Sequence, residues 1–209
     1  MSESGAKVVA STYGILVGLA GIEHGIFEIL QGDVPTAGIM IDAIGDAQRF
    51  WEGGMETALT IVPNFLWTGI LAVIVGIFVV IWAYAFVDRK YGASILLLLT
   101  ITLFLVGGGF APIFLSLLAF GAATRISKPL NWWRRRMPGR KSLARLWPSV
   151  LILFVVIFWT AVGIQIFGLP IDAAITTSIM VVFSLAMVIL MPVAVIVAIS
   201  YDAQKSFDT

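Results

Sequence analysis

The chain has no cysteine and a single histidine. The first absence excludes disulfides, thiolate metal sites and cysteine nucleophiles. The second leaves a two-histidine metal site, or a haem held by two axial histidines, out of reach of one chain. Charge is scarce too: 12% of residues are charged, against roughly 25% in a soluble domain. Thirteen basic and twelve acidic residues give a net charge of +1, so overall charge points to no partner. There is no HExxH pair for a zinc protease and no GxSxG elbow for a serine hydrolase. Gly107–Gly109 lacks the lysine and hydroxyl of a phosphate loop and reads as a bend.

What remains is apolar. Hydrophobic residues make up 60% of the 209, more than one water-soluble core of this size can hide. The composition predicts an all-α integral membrane protein, a single transmembrane domain over residues 1–209. Expected spans are about 8–30, 59–87, 93–123, 147–169 and 174–200, each offering the ~20 residues a helix needs to cross. Continuous apolar runs without alternation exclude β-barrel strands. At the N-terminus, Lys7 is offset by Glu3, and the apolar stretch runs into Glu23 and His24 with no cleavage motif. It reads as a retained span, not a signal.

The third stretch is interrupted by Gly107-Gly108-Gly109-Phe110-Ala111-Pro112, which destabilises helix at its centre. It is either one kinked crossing or two short helices, 93–106 and 110–123, making six helices in all. Basic residues favour the pair. If the stretch returns to the side it left, twelve basic residues share one side and Arg49 alone takes the other; a single crossing splits them ten to three. The positive-inside rule selects the first arrangement, with both termini cytoplasmic in a cell membrane. Arms of about 14 residues span only ~21 Å, so the broken backbone needs shelter from other helices.

Between the first two spans, Asp42, Asp46, Arg49, Glu52 and Glu56 fall within roughly 120° on a helical wheel. Ile39, Ala43, Ile44, Ala47, Phe50 and Trp51 face the other way. The pattern predicts an amphipathic helix over about 36–52, lying at the outer interface. Its charged arc is either a solvated face or an acidic vestibule that concentrates cations. At the opposite side, 125–145 forms a basic cytoplasmic loop. There Trp132, Trp133, Arg134, Arg135 and Arg136 point to contact with anionic lipid headgroups of the bilayer rather than nucleic acid.

In the first span, Gly14, Gly18, Gly21 and Gly25 lie within roughly 60° of one another. Such a face lets a helix approach closely, from the same chain, a second copy in a homo-oligomer, or a membrane partner. Beside it, His24, Glu28 and Gln31 share a flank, and Glu23 points away. Ionisable residues in a span are costly and face protein or water. They can lock helices together, switch a proton, or bind a metal ion through His24 and Glu28. Glu52, Glu56 and Asn64, near the second span, can reach the same outer cavity. Three functions are open: a transporter or channel for protons or cations, an intramembrane enzyme acting on a lipid or quinone, and a non-catalytic assembly or partner protein. No cofactor is indicated, and an enzyme is the less favoured class.

Overall fold

A computed structural model describes residues 4–205; Glu3 lies outside them. The elements are α1 (Gly5–Leu30), β1 (Met40–Asp42), β2 (Thr57–Leu59), α2 (Phe65–Ala85), α3 (Gly92–Leu105), α4 (Ala111–Ala123), α5 (Asn131–Arg136), α6 (Arg140–Ala144), α7 (Ser149–Phe167) and α8 (Ala173–Lys205). Helices α1, α2, α7 and α8 are long and apolar enough to cross a membrane, and α3 and α4 are shorter apolar helices. Wide apolar faces are exposed, such as Val181, Val182, Leu185 and Ile189 on α8. Only hydrocarbon around the bundle makes that exposure tolerable.

Helix α1 is the axis, because its small residues let neighbours approach to backbone contact. A Cβ on Gly18 would lie 2.7 Å from the Gly76 carbonyl oxygen, and one on Gly25 2.6 Å from that of Gly69. The two contacts are seven residues apart on each helix, so α2 runs antiparallel along α1. Helix α3 then runs parallel to α1: Gly14 faces Leu96 and Gly21 faces Leu103. The close approach expected of the glycine face is thus made inside the chain, and a partner helix would find that face occupied. On the other flank, the Tyr13 hydroxyl donates to the Met191 carbonyl of α8 at 2.8 Å. Its ring packs on Phe154 of α7 at 5.1 Å.

Both termini of the described chain lie at one end of the bundle. Asp202 accepts hydrogen bonds from the Ser4 hydroxyl at 2.7 Å and from the amides of Gly5 at 2.7 Å and Ala6 at 2.9 Å. These amides have no partner within α1, and a carboxylate there also complements the helix dipole. Lys7 pairs with Asp88 at 2.8 Å at the same end, and its hydrogen bond holds the Asp88 carboxyl below the usual range. Leu130 packs with Ile199 and Ala203, so α4 has returned to this terminus end before α5 begins. The Ala93–Ala123 stretch is therefore a hairpin of two short helices.

At the opposite end, the amphipathic helix expected over 36–52 is absent. Met40–Asp42 instead pairs antiparallel with Thr57–Leu59, placing Met40 opposite Leu59, Ile41 opposite Ala58 and Asp42 opposite Thr57. Turns fill the interval between them. Gly38, Gly45 and the β-branched Ile39, Ile41 and Ile44 are poor helix formers. Alternation from exposed Met40 to buried Ile41, exposed Asp42 and buried Ala43 suits a strand. Pro63, inside the expected 59–87 span, lies just before α2. The span begins at Phe65, not near residue 59.

Candidate functional site

The break between α3 and α4 leaves helix-end carbonyls and an unpaired loop at the depth of α1's last turns. Strand β2 and its neighbours satisfy them. The Gly107 amide donates to the Leu59 carbonyl, and the Ile61 amide to the Leu105 carbonyl, each at 2.9 Å. The Thr68 hydroxyl of α2 donates to the Val106 carbonyl at 2.8 Å. Backbone interrupted within a membrane needs this kind of shelter. The same pairing carries Glu56, just before β2, over α1.

There it meets His24. The imidazole Nε2 is ion-paired to Glu56, and a Glu23 oxygen lies 3.9 Å from the same nitrogen. His24 is 3% exposed and Glu28 is fully buried. The glycine break wraps both. Gly107 and Gly109 have φ of +99° and +81°, a region L side chains avoid. A Cβ on Gly107 would overlap the Glu28 carboxylate, and one on Gly109 would come within 2.6 Å of the His24 ring. Glycine is needed here for conformation and for space.

Several polar atoms remain without a hydrogen-bond partner among the described residues: both Glu28 oxygens, one Glu23 oxygen and Nδ1 of His24. Buried polar groups normally have partners. These four atoms lie together beside the glycine break.

The cluster stands between two hollows. One, about 380 Å³, is an apolar cleft between α1, α4, α7 and α8, lined by Leu16, Val17, Leu115, Phe154, Ala161 and Met187 below Glu23, His24 and Glu56. The other, about 590 Å³, opens at the hairpin end between His24, Glu56, Met40, Met55, Phe110 and Gln165. Gln165 lines both. Its side chain donates to the carbonyls of Gly53 and Met55, and its own carbonyl accepts from the Trp51 indole. These bonds tie α7 to the loop bearing Glu56.

Glu23, His24 and Glu56 each offer a ligand atom, and the three atoms lie within 4.8 Å of one another. Two carboxylates and an imidazole are a donor set that suits zinc or manganese.

The sequence-derived candidates separate in the structure. Glu23, expected to face away, joins the His24 cluster. Glu28 sits against Gly107 and is not among the three residues whose ligand atoms converge. Gln31 donates to the Asp42 and Ala43 carbonyls and latches β1. Asn64 caps α2, accepting from the Trp67 amide and donating to Asp33. Glu52 is exposed, and Asp46 pairs with Arg49 at 3.1 Å; with no helix there, the acidic arc does not form. Gln165 and Trp51 were not among the sequence-derived site residues. Gln165 is a polar side chain at the end of an apolar span, which is the signal that could have found it.

The helices are those of a membrane protein, and the His/Glu cluster lies in the first span. The chain matches no protein-family model, no curated protein and no solved structure.

A polar group buried without a partner costs about 1–3 kcal/mol, and a charged one more. Replacing Glu28 with methionine, similar in length and apolar, is expected to raise the thermal midpoint of the detergent-solubilised protein by a few degrees. A fall of that size would show that Glu28 holds the fold together.

Proposed function

We propose that this chain is a small polytopic membrane protein that binds a cation at Glu23, His24 and Glu56 and passes it on as a transporter or channel. The observation that carries the binding is the convergence of three ligand atoms within 4.8 Å, next to buried polar atoms with no partner among the described residues. Transport draws support from the helix break at Gly107–Pro112, since interrupted helices often border ion sites. The site's two carboxylates supply the negative charge that a proton, a metal ion or another small cation needs. The apolar cleft below favours a second reading, an intramembrane enzyme in which the same groups do acid–base chemistry on a lipid or quinone.

Zinc titration by calorimetry and zinc flux into liposomes test both halves. Wild type is expected to bind zinc at least tenfold more tightly than Glu56→Gln, and to carry flux that the variant loses. Equal affinity would refute the site. Tight binding with no flux above protein-free vesicles would remove transport and leave the enzyme reading.

We further propose that the terminus end faces the cytoplasm. Arg89, Lys90, the basic residues of 125–145 and Lys205 lie toward that end, and Arg49 toward the other. Trp132, Trp133 and Arg134–Arg136 then meet anionic headgroups. The chain's lack of cysteine makes the test simple. In intact cells an impermeant maleimide is expected to label Ala37→Cys and not Ser142→Cys; the reverse would invert the topology.

A further inference from the structure

We infer that the cation taken by this site is an organic ammonium carried on a single hydrocarbon chain, with its head at Glu23, His24 and Glu56 and its tail in the cleft. The inference rests on the cation-binding reading and names the class of cation.

The head is selected by charge and by hydrogen-bond type. Glu23, Glu28 and Glu56 set three carboxylates around one imidazole. The basic residues lie toward the far end of the bundle except Arg49, which is paired with Asp46. Around His24, then, the cluster offers carboxylate oxygens, those of Glu28 and one of Glu23 buried and without a partner among the described residues. His24 is 3% exposed and lines both hollows. An ammonium supplies positive charge and up to three donors at once. A phosphate, sulfate or carboxylate head brings charge of the wrong sign.

The tail is selected by the cleft. Below the cluster its walls are almost wholly apolar, from Ala20 down to Leu16 on α1 and Met191 on α8. The eight steps along α1 from His24 to Leu16 make it about 12 Å deep at ~1.5 Å per step. A hydrated metal ion has no use for such a space, whereas a hydrocarbon chain fills it with dispersion contacts. Entry is from the side. Phe114 of α4 and Val188 of α8 both line the cleft and are 63% and 61% exposed. The cleft therefore opens between these helices toward the surrounding hydrocarbon, where an amphiphile already lies with its tail inward.

The test uses the full chain in nanodiscs, with dodecylammonium, dodecyl sulfate and zinc as probes and intrinsic tryptophan fluorescence as readout, Trp51 being bonded to Gln165 beside the site. Two variants separate head from tail: Glu56→Gln removes a carboxylate, and Ala161→Phe fills the cleft. Dodecylammonium is expected to bind saturably to wild type and at least tenfold more weakly to each variant. Zinc is expected to lose affinity in Glu56→Gln and to keep it in Ala161→Phe, which also shows that the filled variant is folded. Dodecyl sulfate binding as well as dodecylammonium would overturn the inference, reducing the cleft to a partition site. Zinc binding to wild type without saturable dodecylammonium binding would overturn it and leave the cation site standing. Failure of both probes would remove the cation-binding reading as well.

Discussion

The structure depends on how one interrupted helix satisfies its backbone. A polypeptide that stops being helical within a membrane exposes amides and carbonyls that hydrocarbon cannot solvate, at several kcal/mol each. Here the amides of Gly107 and Ile61 and the carbonyls of Leu59 and Leu105 pair across the break, and Thr68 takes the Val106 carbonyl. The short sheet at the hairpin end therefore completes α3, and it is placed by that task.

The candidate site follows from this placement. Pairing β2 with the break brings Glu56 over His24. It also presses the side-chain-free backbone of Gly107 and Gly109 against Glu28 and His24. The glycines that break the helix are the ones that make room for a histidine and a glutamate inside a bundle. An acidic cluster at one end and basic residues gathered toward the other divide the chain's charge along its axis. Glu28, fully buried with no partner among the described residues, is a local cost that the rest of the packing offsets. Such costs are common where a protein keeps chemistry available.

Much of this was legible in the residues. Run lengths located the long helices, the Gly107–Pro112 sequence located the break, and the asymmetry of lysine and arginine favoured a return of the broken stretch over a single crossing. Spacing of glycine along α1 announced close packing but not its partner, which was α2 and α3 of the same chain. The 36–52 region misled, because a helical wheel sorts residues by angle whether or not a helix forms. Glycines and β-branched residues there favour turns and the short strand Met40–Asp42, which pairs with Thr57–Leu59. His24 and Glu28 were identifiable as costly ionisable groups within a span, and Glu56 as a residue able to reach the same cavity. Their pairing was not, since Glu56 reaches His24 through a tertiary contact made by β2. Gln165 was hidden for the same reason.

The pairing across the break can be measured directly by residue-resolved amide hydrogen exchange on the protein in nanodiscs. If β2 completes α3, the amides of Ile61 and Gly107 exchange as slowly as that of Leu99 inside α3. Exchange as fast as at the exposed Gly38 would contradict the account, because Glu56 would then have no fixed support over His24.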